Sequence, residues 1–292
     1  MGICTNRTII VTGSGSGLGR EYALALAAEG ANVAVNDIRL DAAESVVKEI
    51  EAAGGNAVVA LGDITSMAGA DAIIAATLAA FGDVHGVVNN AGVVRDRMFA
   101  SMSEEEWDTV IRVHLKGHFC IANKLVQRWR DQVKAGGKPL GRIVNTSSGA
   151  GLQGNIGQSN YSAAKGGIAS LTLVQAAELG RYGVTANALA PAARTGMTEG
   201  PFGAMMKAPE DGSFDHYHPG NVAPLVVYLC SELSQGVSGK IFEVEGGKIS
   251  IGNGWKTGTV KDKGARYAPQ ELHEVIGGLI ATEPPAQKVY GT

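Results

Sequence analysis

Thr8-Ile9-Ile10-Val11-Thr12-Gly13-Ser14-Gly15-Ser16-Gly17-Leu18-Gly19-Arg20-Glu21-Tyr22-Ala23-Leu24-Ala25-Leu26-Ala27 is the stretch that decides the fold. It opens as an apolar run of strand length, turns through glycines and ends in good helix formers. A glycine run alone is a common loop, and 41 Gly are scattered along this chain. Strand, glycine turn and helix in succession is a narrower pattern. It lets backbone approach a pyrophosphate closely and sets that anion on the open N–H groups at the helix start. Further on, Asn32-Val33-Ala34-Val35-Asn36-Asp37 reads as a second strand ending in an acid. A carboxylate there can hold both hydroxyls of an adenosine ribose and repel a 2′-phosphate. No Lys or Arg lies within residues 13–19, although Arg20 and Arg39 are near enough to weaken the preference without reversing it. The two segments together point to a dinucleotide site that prefers NAD over NADP.

Outward from this unit, strand and helix alternate. Apolar runs predict strands at roughly 7–12, 32–36, 57–61, 84–89, 141–146, 184–189 and 240–244, with Ala-rich helices such as 41–53 and 67–81 between them. Such alternation implies parallel strands joined by right-handed crossovers, with helices on both faces. The expected fold class is therefore α/β, a single doubly wound parallel sheet of about seven strands. Its strand ends would gather Gly13, Asp37, Asp63, Asn90 and Ser148 on one edge, where such sheets bind ligands.

Tyr161 and Lys165 stand four residues apart, with Ser148 thirteen residues upstream of the tyrosine. A tyrosine packed on a helix beside an exposed lysine is the plain alternative for such a pair. On a helix, however, positions i and i+4 share a face, so the ammonium can sit close to the phenol. A free phenol, with a pKa of about 10, accepts protons poorly at neutral pH, and a nearby cation favours the phenolate. Ser148 can donate a hydrogen bond to a substrate oxygen. An acid/base, its electrostatic tuner and an oxygen holder suit hydride transfer at a carbon–oxygen bond.

With these motifs in order, the chain resembles the short-chain dehydrogenase/reductase family over nearly all of residues 5–250. The resemblance implies a Rossmann-like fold with the cofactor on Gly13, Ser14, Gly15, Ser16, Gly17, Leu18 and Gly19, and with Asp37 on the ribose. It further implies that Asp63 and Ile64 hold the adenine and that Asn90, with Ala91 and Gly92, steadies the sheet beside the cofactor. Tyr161 and Lys165 would touch the nicotinamide ribose, and Pro191 and Thr195 the nicotinamide end. The segments Val113-His114-Leu115-Lys116-Gly117, Gly154–Lys165 and Val222–Cys230 are similar to the (3R)-hydroxyacyl-CoA dehydrogenase unit of peroxisomal multifunctional enzyme type 2 and its bacterial relatives. An NAD-dependent enzyme acting on 3-hydroxyacyl-CoA or 3-oxoacyl-CoA is what that similarity implies. A 3-oxoacyl-carrier-protein reductase, a steroid or other alcohol dehydrogenase, and a non-catalytic NAD-binding protein stay open beside it.

Two positions depart from the family pattern. His114 stands where the family usually has an asparagine that organises a proton-relay water; in the multifunctional-enzyme branch a histidine there would be a subfamily trait. A relay and a histidine satisfied by local hydrogen bonds are both open. In Pro191-Ala192-Ala193-Arg194-Thr195 the family's Pro-Gly is absent and the threonine falls one position early.

Residues 192–220 hold Met197, Phe202, Met205 and Met206 among Gly, Pro and Asp; a lid over an acyl chain and a segment disordered in the free protein are both open readings. Residues 1–249 form the expected cofactor-binding and catalytic domain, and 250–292 a C-terminal extension. In the extension Leu272, Val275, Ile276 and Leu279 form a helical stripe, expected to pack on the same or a partner subunit. Lys256, Lys261, Lys263 and Arg266 could meet CoA phosphates, although a solvated charged face is the heavier reading.

Bulk properties set the remaining bounds. The chain has 292 residues, 45% hydrophobic and 18% charged, enough for one large core. A net charge of −3 offers no general attraction to nucleic acid or anionic membrane. Cys4, Cys120 and Cys230 are odd in number and sit in apolar surroundings, so reduced core thiols are expected. No signal peptide, membrane span, metal site or peroxisomal address is expected. A cytoplasmic homodimer or homotetramer with a small-molecule substrate follows.

Overall fold

Thr8–Thr12 (β1) and Arg142–Thr146 (β5) are buried at every residue, as strands covered on both faces must be. The computed structural model describes residues 2–196, 206–285 and 287–290. Between these two strands run α1 (Gly17–Ala28), β2 (Asn32–Asn36), α2 (Leu40–Ala52), β3 (Asn56–Val59), α3 (Met67–Phe81) and β4 (Gly86–Asn89). Two further helices, α4 (Glu104–Ile111) and α5 (Gly117–Lys134), precede β5. Beyond β5 lie α6 (Gly149–Gln153), α7 (Ser159–Leu179), β6 (Thr185–Ala192), α8 (Ala223–Cys230), β7 (Ile241–Glu245), β8 (Lys248–Ile251) and α9 (Leu272–Ile280).

The sheet order is β3-β2-β1-β4-β5-β6-β7-β8. The chain winds outward from β1 through β2 to β3, then returns to lay β4 on the other side of β1. Pairing Val11 with both Val35 and Val88 fixes the register across this reversal. A crevice opens there, beyond the strand C-termini. Two apolar layers sandwich the sheet. Tyr22, Leu26, Val46, Ile50, Val226 and Leu229 fill one; Ile73, Ile121, Leu125 and Trp129 belong to the other. Cys4, Cys120 and Cys230 are buried and free.

The sheet has eight strands where about seven were expected, and the eighth is antiparallel to β7. Its cause is a two-residue turn at Gly246-Gly247, with Gly246 at φ 55°, between the paired Glu245 and Lys248. The sheet thus ends at Ile251, two residues into the stretch read as an extension. Beyond it the chain is mostly exposed, and α9 buries none of its residues. Leu272 and Ile276 of the expected packing stripe face solvent, so this chain's own body does not cover them. No helix among the described residues is long and apolar enough to cross a membrane.

Ser103 caps α4 through a reciprocal box with Glu106, itself paired to Arg97. Helix α4 then passes through one π turn at Arg112–Lys116 into α5. Such turns shift the face a side chain occupies and occur frequently at functional sites. His114 lies at the centre of this one.

Candidate active site

Backbone builds the nucleotide crevice. Gly13 adopts φ 61°, and a Cβ there would fall 2.7 Å from Ala91 Cα, so only glycine lets β1 turn this close to β4. Ser14 donates through Oγ to Val11 O at 2.8 Å and through its N–H to Asn36 O at 2.8 Å, tying the turn to β2. Asn90 Nδ2 donates to Thr12 O at 3.1 Å and Gly13 O at 3.2 Å, while Thr12 Oγ1 accepts from Asn90 N at 2.9 Å. Ser16 stands before α1 without a side-chain cap, and the first turn holds no acid. That leaves open N–H groups and the positive end of the helix dipole for an anion. Across the crevice, Asp37 is held by the N–H groups of Gly15 at 3.1 Å and Arg39 at 3.0 Å. Asp63 accepts from Thr65 N at 2.8 Å and Thr65 Oγ1 at 2.9 Å.

The crevice has a volume of about 770 Å³. Of the sequence candidates, Gly13, Ser16, Gly17, Leu18, Asp37, Asp63, Ile64, Asn90, Ala91, Gly92 and Thr195 line it. Ser14 is buried beneath the turn. Gly15 and Gly19 shape the turn: a Cβ on Gly15 would lie 2.7 Å from Asp37 Oδ2, and one on Gly19 would lie 2.3 Å from Gly13 O. An open helix end, a carboxylate on the same crevice wall and a glycine floor together fit a dinucleotide.

Side chains build the adjoining pocket, of about 450 Å³, which Ser148, Tyr161, Lys165, His114 and Pro191 all line. Tyr161 is in the first turn of α7, whose start is fixed by Asn160: its Nδ2 donates to Arg95 O at 3.0 Å and Glu106 O at 3.2 Å. Lys165 follows one turn later on the same face. Its Nζ lies 5.5 Å from the Tyr161 ring centre and donates to Thr146 O at 2.6 Å. Ser148 stands at the N-cap of α6, its Oγ accepting from Ala150 N at 3.2 Å, and its hydroxyl is near enough to the Tyr161 phenol to favour the phenolate. The three groups therefore face one cavity.

The expected lowering of the phenol by Lys165 is not what this geometry gives. Burial pushes Tyr161 up to about 12, against a smaller downward pull from the Ser148 hydroxyl. Burial likewise pushes Lys165 down to about 7. Desolvation acts against the charged form of each group.

His114 is fully buried, its ring edge-on to Tyr161 with centres 5.1 Å apart. Nε2 lies 3.0 Å from Val93 N and 2.7 Å from Val93 O, so either tautomer finds a partner there. Burial, then the Lys165 charge, push it down to about 3. The imidazole is accordingly neutral at physiological pH. Its Nδ1, like Thr146 Oγ1, has no hydrogen-bond partner among the described residues.

Of the expected lid, Met197, Phe202 and Met205 lie outside the described residues, while Met206 is buried and lines the pocket. Arg194 fastens this segment, bonding Met206 O at 2.7 Å and pairing with Asp215. In the extension, Lys263 pairs with Glu271. Sequence reasoning missed Thr146, whose carbonyl holds Lys165, and Tyr217, Glu243 and Tyr290, which line the pocket. Distant chain segments bring the last three in, and nothing in their local pattern marks them.

The short chain dehydrogenase family pattern matches residues 7–202. The chain belongs to that family. It is an oxidoreductase, therefore, of the short-chain dehydrogenase type. It is 44% identical to hydroxyacyl-CoA dehydrogenase ChsB1 of Mycobacterium tuberculosis, over 99% of this chain and 93% of the relative. Peroxisomal multifunctional enzyme type 2 of Mus musculus is 40% identical over 85% of this chain, which spans only 32% of that enzyme. Among solved structures, a short chain dehydrogenase from Mycobacterium avium superposes with a TM-score of 0.91 at 51% identity, with both chains fully covered.

Proposed function

We propose that this protein is an NAD-dependent dehydrogenase that oxidises the secondary hydroxyl of 3-hydroxyacyl-CoA thioesters to the 3-oxo form, or runs the reverse. The observation that carries this reading is the wall shared by the two cavities. Leu18, Asn90 and Thr195 line both the nucleotide crevice and the Tyr161 pocket. A substrate oxygen between Ser148 and Tyr161 would therefore adjoin the end of a dinucleotide laid along the crevice. The hydroxyacyl-CoA name of the mycobacterial relative supports the substrate class, and Val94, Ala150 and Met206 give the pocket apolar walls for an acyl chain.

Bound NAD supplies the acceptor for the hydride. The chain's own residues handle the proton. Ser148 donates a hydrogen bond to the substrate oxygen, and Tyr161 takes the hydroxyl proton as its own phenol proton passes to neutral Lys165. Lys165, titrating near neutrality, is the group available to take that proton onward from the phenol. His114, being neutral, orders the pocket through Val93 and the Tyr161 ring without storing a proton. Asp37 selects NAD, because a 2′-phosphate would meet its carboxylate. We place the enzyme in the cytoplasm as a homodimer or homotetramer assembled through α5 and α7, which expose Phe119, Leu173 and Val174.

The test is NADH formation across a panel of 3-hydroxyacyl-CoA thioesters, with free secondary alcohols as controls and NADP as the rival coenzyme. The reading expects thioester oxidation with NAD. Equal kcat/KM with NADP, or oxidation of the free alcohols alone, would overturn it.

A further inference from the structure

The C-terminal chain returns to the catalytic pocket. Tyr290 pairs in parallel with Asn155: its N–H donates to Gly154 O at 3.2 Å, and its carbonyl accepts from Ile156 N at 3.1 Å. Gly149 makes room for this contact: a Cβ there would fall 2.7 Å from Tyr290 Oη. Gly149 is the residue after Ser148, so the Tyr290 ring lies directly over the loop that carries the serine. The Gln153 side chain lies close enough to the Tyr290 hydroxyl to pull its pKa down slightly. Burial, with Glu243 and Glu245 nearby, raises its pKa, so the hydroxyl stays protonated and able to donate.

Backbone pairing with the catalytic domain sets Tyr290 apart from the rest of the extension. From the end of β8 to Tyr290 the described chain buries no residue: Trp255 is fully exposed, and Tyr290 keeps 45% of its surface open. The tail thus makes its backbone pairing at the pocket rim, where Tyr290 lines the same cavity as Ser148 and Tyr161.

We propose that Tyr290 is a specificity-determining residue: its ring forms the outer wall of the substrate pocket beside Ser148 and limits the width of the group attached to the reacting carbon. The proposal rests on the dehydrogenase reading above. A straight acyl chain passes the ring, whereas a branched or ring-bearing group meets it. The protonated hydroxyl adds a donor facing the pocket.

The experiment compares Tyr290→Ala and Tyr290→Phe with the unaltered protein in the full chain, using straight-chain and ring-bearing 3-hydroxyacyl-CoA thioesters and simple secondary alcohols. Removing the wall should raise the ratio of kcat/KM for ring-bearing over straight substrates about tenfold, the scale of discrimination by pocket shape. Tyr290→Phe, which keeps the ring, should hold that ratio within about twofold while raising KM about threefold through the lost hydroxyl. NADH affinity, read by fluorescence titration, should stay the same in all three proteins. A tail that only supports the fold would lower kcat/KM for every substrate alike and leave the ratio fixed, and that result overturns the inference. Turnover unchanged in both variants also overturns it while leaving the dehydrogenase reading standing. Absence of turnover by the unaltered protein on every substrate overturns both.

Discussion

The nucleotide crevice and the catalytic pocket share a wall and are made of different material. In the crevice, backbone does the shaping: a glycine at positive φ, an uncapped helix start, and a carboxylate fixed by two N–H groups. In the pocket, side chains do it: a buried lysine, a buried neutral histidine and a phenol raised by burial. The difference teaches where the molecule concentrates its unfavourable terms. Binding an anion asks only for N–H groups that a helix start leaves open anyway. Moving a proton asks for groups that titrate near the working pH, and burial brings Lys165 there at a cost in stability.

The sharpest way to break this contrast is Tyr161→Phe. Turnover should fall by at least about two orders of magnitude while NADH binding persists, because only the pocket loses its proton acceptor. Equal loss of cofactor binding would mean that the two regions are not separable. Next in size is Asp37→Ala. It should shift the kcat/KM ratio of NAD to NADP about tenfold or more toward NADP, with the same substrate order retained. An unchanged coenzyme ratio would remove Asp37 from the account.

Gly92→Ala probes the seam between the regions. Its new Cβ would fall 2.3 Å from His114 Cε1, within a ring already fixed on Val93 and Tyr161. A destabilisation of about 1–3 kcal/mol in denaturant unfolding is expected, as for overpacking elsewhere. No change would show that the His114 ring has room to move.

A further probe, read through pH, concerns the charge on Lys165, whose value in the fold, about 7, lies below its ordinary 10.5. Below about 7 both folded and unfolded chains hold the proton, so the burial penalty is complete there; between the two values the unfolded chain binds the extra proton, and this penalty fades as pH rises. Lys165→Met should therefore raise Tm more at about pH 6 than at about pH 9, while abolishing turnover. A gain in Tm that is the same at both pH values would show that the lysine is not the source.

What could be read from sequence divides along the same line. The glycine turn, Asp37, the parallel sheet and the Ser148–Tyr161–Lys165 spacing are local patterns, and a local pattern survives in one dimension. Strand β8 was legible in principle: Gly246-Gly247 lies between Phe242-Glu243-Val244 and Ile249-Ser250-Ile251, a hairpin signal at the end of a run of parallel units. The π turn at His114 was not, since its residues read as continuous helix. Nor was the direction of the Tyr161 shift, which depends on how deeply the folded pocket buries the phenol itself. Tyr290 is the extreme case, more than a hundred residues from its partner Asn155.

In the proposed reaction the two cavities act as one site, with the proton passing to Tyr161 and the hydride to the nicotinamide end of a dinucleotide at the wall that Leu18, Asn90 and Thr195 share. Its most direct test uses 3-hydroxyacyl-CoA bearing deuterium on the hydroxyl carbon and mass analysis of the NADH formed. Direct transfer across the shared wall predicts that each NADH carries the deuterium, with none lost to water. NADH formed without it, or thioester oxidised with no NADH at all, would contradict the claim.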